Sequence, residues 1–385
     1  MISNKLEQGC SFDPTKQSQS SNISTLNQQI DDLTIVLPIY QRNLSWPESK
    51  MVSLFNYQLF GKAPVAPISF NKLSYDNKVN QVDLINREII DSNKLSNETL
   101  SIIDGQQRLA TNYKAYINHE SVQNIVLDAN QGRFKLVKDN SKYDYQIPVG
   151  ILLNKNEEEL TNYLDNSGFK SFKDISTIAK VRTKLTQYSY TIHIANRMIE
   201  KEQIEWFEVL NNAGSKVTAL QMAFAKLGSN DFDIYREYAE PFSKKIAEID
   251  MDNLFKPYTT NVSYPVALLT PELEVHLKTP HSNNFCPIPS DTKEKKLARL
   301  DSNTLKMIIN ETLNDLDKAL ALLKTKKLYS KIDRMDYILY LAGYYAHNKS
   351  KNVNEDLLVN WVLTTNFINK TNTDRRNIFS NLLKL

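Results

Sequence analysis

Leu100–Tyr116, LSIIDGQQRLATNYKAY, is the stretch on which the fold turns. Leu100, Ile102 and Ile103 read as the end of a β-strand. Asp104-Gly105 breaks that run, and from Gln106 the chain suits a helix, with Leu109, Tyr113 and Tyr116 roughly on one face. A helix that starts straight out of a strand presents free backbone N–H groups and the positive end of its dipole. Such a start is a seat for phosphate, and Arg108 in the first helical turn brings a guanidinium to the same anion. A plainer reading stands beside this one: Asp104 is the N-cap, Gly105 eases the turn and Arg108 is solvated. On the phosphate reading, removing the Arg108 side chain weakens binding and leaves stability nearly unchanged.

Toward the N-terminus lies LPIYQRNLSW, Leu37–Trp46. Thr34–Leu37 reads as a short strand stopped by Pro38, so Gln41 and Arg42 sit where strand gives way to loop, with an amide and a guanidinium to offer a ligand. The alternative is a surface arginine before a capped helix, with Trp46 in the core. Ser45 and Glu48 have the spacing of a capping box, with Pro47 between them, and predict a helix from about Trp46 to Gln58. Residues 71–98 are polar and irregular apart from a helical piece in VDLINREII. Residues 1–30, rich in Ser, Gln and Asn, read as a loose arm.

Toward the C-terminus, SVQNIVLDANQGRFKLV predicts a hairpin: strand to Asp128, turn over Ala129–Gly132, strand Phe134–Val137. NEEELTNYLDN and DISTIAKVRTKLTQY read as helices, and SYTIHIA as a further strand. WFEVLNNAGSKVTALQMAFAKL reads as two helices around a tight turn at Asn211–Gly214, with Thr218 capping the second; Trp206, Phe207, Leu210, Leu220, Phe224 and Leu227 suit a core. The rest is mainly helical, with loops at YTTNVSYPVA and KTPHSNNFCPIPSDTKEKK. Strands thus concentrate before residue 200 and helices after it, which predicts an α+β domain in front of a helical one. The expected layout is a flexible arm over 1–30, an α+β domain over 31–200 and a helical domain over 201–385.

Composition narrows the function. The chain of 385 residues has 47 Lys and Arg against 44 Asp and Glu, a net charge of +3 that is too small to argue for nucleic acid by itself. Two cysteines, Cys10 and Cys286, supply neither a disulfide framework nor a cysteine-built zinc site, so the expected compartment is a reducing cytoplasm. No apolar run approaches the ~20 residues of a membrane span, and the N-terminus has no apolar signal core.

Three motifs in order, PxYQRxxxW, IDGQQRLxT and FExxNxxGxxxT, make residues 33–227 resemble the GmrSD-type restriction-system family in its N-terminal domain. DGQQR is the most specific of them. The resemblance implies a ParB/sulfiredoxin-like α+β core that binds a nucleoside triphosphate of unknown base with Mg²⁺, and a place in bacterial defence against phage or modified foreign DNA. Carried over by motif, Gln41 and Arg42 match the first pocket motif, and Asp104, Gly105, Gln106, Gln107 and Arg108 match the second. The implied nucleotide-binding set is Gln41, Arg42, Gly105, Gln106 and Arg108. Asp104, Gln107 and Arg108 form the implied catalytic set, with Asp104 placing the metal. Ala110 stands where the family often has threonine, with Thr111 retained. Val209 and Ala213 stand where many members carry an arginine, which makes hydrolysis less secure than binding.

The His-Asn-His nuclease domain with which many members continue has no counterpart here. His119, His193, His276, His281 and His347 show neither a metal-ligand nor a nuclease spacing. His119 reads as a solvated cation at a helix C-terminus, and His276 and His281 flank a proline loop. There is no GxxxxGK loop and no GxSxG elbow. The lysine runs near residues 291–300 and 324–334 read as solvated helix faces. Arg375-Arg376 reads as part of a closing bundle helix, or else as a contact to DNA backbone or a partner. The expected function is an NTP-binding, Mg-dependent NTP-hydrolysing module of a defence system, acting with a separate nuclease subunit and with DNA. The alternative is a non-catalytic DNA-binding or sensor module that keeps the fold without turnover.

Overall fold

A computed structural model describes all residues except 1, 12, 14–16, 42, 45, 75–79, 138–143, 200, 201, 204, 207, 208, 211–232, 256–261 and 350–352. The chain divides into two compact units, Met1–Lys216 and Val217–Leu385, where the sequence suggested a boundary at residue 200. The first holds every strand of the described residues and the second is helical, an α+β organisation.

The first unit is built on a six-stranded sheet of order β1-β9-β3-β5-β2-β4. Its strands are β1 (Ser18–Asn22), β2 (Ile35–Pro38), β3 (Ile68–Lys72), β4 (Gln81–Val82), β5 (Leu100–Asp104) and β9 (Ser189–Asn196). β5 lies parallel to β2 and antiparallel to β3. Its Ile102 and Ile103 are fully buried, as expected of a strand covered on both faces. A smaller antiparallel sheet joins β7 (Arg133–Leu136), β6 (Ile125–Asp128) and β8 (Gln146–Pro148). The predicted hairpin is β6–β7, shifted by one residue at its end.

Helices α2 (Ile23–Asp31) and α3 (Glu48–Phe60) contact strands of these sheets, and α4 (Gln106–Tyr116), α5 (Val149–Leu152), α6 (Glu158–Asp165) and α7 (Phe172–Thr186) share hydrophobic cores with them. Two elements lie where a loose arm was expected. β1 pairs along its length with β9, and its first three residues are exposed, so backbone pairing rather than apolar side chains holds it. α2 buries Ile23, Leu26 and Ile30 at helical spacing, and the Asn22 side chain caps it by accepting from the Thr25 N–H at 2.8 Å. Polar composition had hidden both signals. Only α1 (Asn4–Cys10), with no buried residue, fits the description of an arm. The tyrosines expected on one face of α4 hold α2 in place: Tyr113 Oη donates to Asp31 at 2.9 Å and Tyr116 Oη to Gln28 at 3.0 Å.

Other expectations shift for local reasons. α3 starts at Glu48 with Pro47 as an N-cap that makes no side-chain bond, and Ser45 lies outside the described residues. The segment VDLINREII is no helix. The Asp83 carboxylate accepts from the N–H groups of Ile85, Asn86 and Glu88, an aspartate turn that competes with helical bonding. His119 follows α4, but burial and then Lys114 lower its pKa, so the neutral ring is favoured over the expected cation. The two-helix motif around Asn211–Gly214 lies largely outside the described residues.

The second unit contains α8 (Glu240–Ala247), α9 (Ser263–His276), α10 (Glu294–Leu297), α11 (Ser302–Thr325), α12 (Met335–His347), α13 (Glu355–Thr364) and α14 (Asn372–Leu382). α9 begins inside the stretch expected to be a loop. α12 is apolar on nearly every side and is buried on nearly every side, the pattern of a central helix. Tyr340 on α12 packs against Trp361, Phe367 and Phe379. Arg375 Nε bonds buried Asp336 at 2.8 Å, and Arg376 clamps buried Asp291 at 2.6 and 2.7 Å. Both arginines are therefore partners of core carboxylates, the closing-helix reading. Among the described residues no helix is long and apolar enough to cross a membrane.

Candidate functional site

β5 ends at Asp104 and α4 begins at Gln106, so a single residue, Gly105, makes the turn. Its φ of +97° is a conformation that side chains rarely adopt. A Cβ there would lie 2.9 Å from Cγ1 of the fully buried Ile68. Gly105 is also the N-cap of α4, in place of the Asp104 cap of the plainer reading, and it caps without a side-chain bond.

This turn forms one wall of a cavity of about 460 Å³, within the ~300–1,000 Å³ usual for small-molecule sites. Asp104, Gly105, Gln106, Gln107 and Arg108 line it from one side and Gln41 from the loop after β2. Trp46 and Tyr57 bring aromatic surface, and Leu54, Val65 and Ile103 add apolar surface. Six of the seven residues singled out by motif thus share one cavity, although Gln41 and Arg108 are 67 positions apart. The seventh, Arg42, lies outside the described residues.

The side chains divide by the partners they already have. Gln41 Nε2 donates to the carbonyls of Ile102 at 3.3 Å and Ile103 at 2.9 Å, tying its loop to β5. Gln107 accepts from the Trp46 N–H at 3.1 Å and donates to the Asn43 carbonyl at 3.2 Å. Both amides bond backbone, and that of Gln107 sets the position of Trp46. Arg108 is the larger surprise. Its guanidinium donates to the carbonyl oxygens of Ala66 and Pro67, and its Nη2 lies 3.0 Å from Asp104 Oδ2. The Arg108 side chain is only 11% exposed, against 36% for Asp104, so it is anchored rather than solvated. The Asp104–Arg108 pair spans one turn at the mouth of α4 and keeps a carboxylate open to the cavity.

One residue that sequence reasoning missed belongs to the frame. Arg87, buried in the polar stretch between β4 and β5, donates to the carbonyls of Ile39 and Gln41 at 2.9 Å each. It holds the turn that delivers Gln41. Nothing in the letters around it signals this, because its acceptors are backbone atoms 46 and 48 positions away. Val209, at one of the positions where an arginine was missed, is 64% exposed; Ala213 lies outside the described residues.

The chemistry open to this arrangement is anion capture at a helix N-terminus, beside a carboxylate able to hold a hydrated cation. Aromatic and apolar surface in the same cavity suits a flat ring. Comparison with known proteins agrees with the motif reading: the family described as GmrSD restriction endonuclease, N-terminal domain, matches residues 23–228. No curated protein matches.

Proposed function

The chain belongs to the GmrSD restriction endonuclease N-terminal domain family, and on that premise we propose that it is the nucleotide-binding component of a restriction-like defence system. The observation that carries this reading is the convergence of Gln41, Trp46 and Tyr57 with the Asp104–Arg108 turn in one cavity. In this reading the phosphates of a nucleoside triphosphate lie at the start of α4, where N–H groups and dipole favour negative charge. Asp104 is the residue suited to Mg²⁺, which takes one or two carboxylates together with phosphate oxygens and water. Trp46 and Tyr57 face the base. Gln41, Gln107 and Arg87 are positioning residues, and Arg108 reaches the phosphates while anchored to the 66–67 carbonyls.

That anchoring favours binding over turnover. A guanidinium already shared among two carbonyls and a carboxylate has fewer donors for charge developing in a transition state, and Val209 supplies no arginine. The second reading, a nucleotide or DNA sensor without turnover, draws its support from the same observation. Either way a cutting activity falls to a separate nuclease partner. Equilibrium binding of each of the four NTPs, with and without Mg²⁺, followed by phosphate release, separates the readings. Saturable binding with release supports the hydrolase and saturable binding alone supports the sensor. Absence of NTP binding in both conditions overturns the nucleotide proposal.

A further inference from the structure

The helical unit holds a cluster outside the cavity described above. Glu274 near the end of α9, His281 in the loop that follows and His347 at the end of α12 each aim one donor atom at a common point, all within 4.8 Å of one another. Glu274 Oε2 lies 2.8 Å from His281 Nδ1 and 3.3 Å from His347 Nε2. The Glu274 side chain is fully buried, and the two imidazoles are 21% and 15% exposed. We propose that Glu274, His281 and His347 form a binding site for a divalent transition-metal ion of the Zn²⁺ class.

Three features carry the proposal. The first is the donor set: two imidazoles and one carboxylate is a combination that binds zinc, leaving the fourth tetrahedral position open. Two ligands at ~2.0–2.1 Å from one ion in a tetrahedron lie about 3.3 Å apart. The Glu274–His347 separation already has that value, and the Glu274–His281 pair needs to open by about half an ångström.

The second is the ring orientation of His281. Ser380 Oγ on α14 donates to Asn283 Oδ1 at 2.7 Å, which leaves it to accept from His281 Nε2–H at 2.9 Å. With Nε2 held by Ser380, Nδ1 is the nitrogen that faces Glu274: it bonds Oε2 at 2.8 Å here and becomes the ligand nitrogen once an ion displaces its proton. A metal-binding imidazole held through its other N–H by a polar partner is the usual outer arrangement of such sites. The backbone N–H of Ser282 supports the carboxylate in the same way, bonding Glu274 Oε1 at 2.6 Å and leaving Oε2 for the ion.

The third is His347. Its Nε2 is buried and, at 3.3 Å from Glu274 Oε2, makes an ion-pair contact with it but no well-directed hydrogen bond among the described residues. A buried ring nitrogen aimed at a shared point without a bond is costly unless something fills that point. A cation there satisfies both rings and the carboxylate, and it ties α9, its following loop and α12 together.

The test uses the full chain with Cys10→Ser to remove the exposed thiol, freed of metal by chelator and titrated with ZnCl₂ by calorimetry. Bound zinc is then counted by elemental analysis after dialysis. The expected result is one equivalent, at least tenfold weaker binding in His347→Gln and in Ser380→Ala, and unchanged binding in His276→Gln, whose ring is outside the cluster. Thermal melts with zinc should show a raised midpoint for the parent and none for His347→Gln. If His347→Gln fails to fold, Co²⁺ loaded into the parent decides: intense visible absorption of a tetrahedral ion supports the site. Only the weak absorption of an octahedral ion overturns it. Zinc binding that is absent, or equal in the parent and in both cluster variants, also overturns it.

Discussion

Gly105 and Arg108 concentrate the argument at the scale of single residues. Gly105 adopts φ +97° with Ile68 directly beneath the missing Cβ. Gly105→Ala should therefore destabilise the first unit by about 1–3 kcal/mol. Thermal melts check this, and a midpoint equal to wild type would mean that the turn relaxes freely. For Arg108→Ala two effects should coincide. If the proposed nucleotide site is right, loss of one charge-assisted phosphate contact should lower NTP affinity roughly ten- to a hundredfold, about 1.5–3 kcal/mol. The sequence predicted hardly any loss of stability, because an arginine in a first helical turn that faces a ligand makes few core contacts. Here the guanidinium bonds Ala66, Pro67 and Asp104, so the variant should also lower the melting midpoint. Titration well below the midpoint separates the two: unchanged affinity with a lowered midpoint would make Arg108 a pure anchor. Asp104, Gly105 and Arg108 were legible as letters, whereas the two carbonyls that anchor Arg108 were not, since they lie 41 and 42 positions away.

At the scale of elements, the sequence found those whose side chains alternate or repeat. β5, α4, the β6–β7 hairpin, α7 and β9 carry such patterns. It missed β1, whose SQSSN sequence has no pattern to show and which is held by its pairing with β9. α2 followed β1 into the supposed arm, although Ile23, Leu26 and Ile30 have helical spacing. Two truncations test the revised boundary. Removing residues 1–11, exposed wherever they are described, should leave the melting midpoint within the scatter of surface changes, about 0.5 kcal/mol. Removing residues 1–31 strips an edge strand and three buried side chains, each contributing about 1.5–3 kcal/mol. That shorter chain should be insoluble or unfolded, as judged by circular dichroism and gel filtration. A well-folded product would restore the arm.

For the molecule as a whole, pH and thiol chemistry report on burial. Asp128 ends β6 with its carboxylate buried. Burial opposes ionisation, but bonds from Lys135 at 2.7 Å, the Gln131 N–H and Gln146 outweigh it and hold the carboxyl below its ordinary range. A group depressed by folding contributes stability above its unfolded pKa and loses it as pH falls through the lower folded value. Wild type should thus be more stable than Asp128→Asn near neutrality. The gap should shrink as acid approaches that value, in urea melts at a series of pH values. A gap independent of pH would show that the charge of Asp128 plays no part. Burial pushes the Cys286 thiol up to about 12, and its Sγ lies 3.4 Å from the Tyr340 hydroxyl. Ellman's reagent should accordingly label one thiol per native chain, Cys10, and two after denaturation. Two labelled at once in the native state would mean that the helical core is open.

The family, the α+β character and six of the cavity's residues, Gln41 and Asp104 to Arg108, were legible in the sequence itself, because strand alternation, helical spacing and the DGQQR turn are properties of neighbours in the chain. Which contacts those residues make was decided only by tertiary structure. The amides of Gln41 and Gln107, the guanidiniums of Arg87 and Arg108, and the pairing of β1 all bond to backbone atoms. Every residue carries the same N–H and C=O groups, proline's missing N–H apart, so nothing in the letters marks which of them a distant side chain will find. The meeting of Glu274, His281 and His347 has the same cause: their convergence depends on the path of the chain between α9 and α12, 66 positions that separate the two histidines, and no local spacing encodes it.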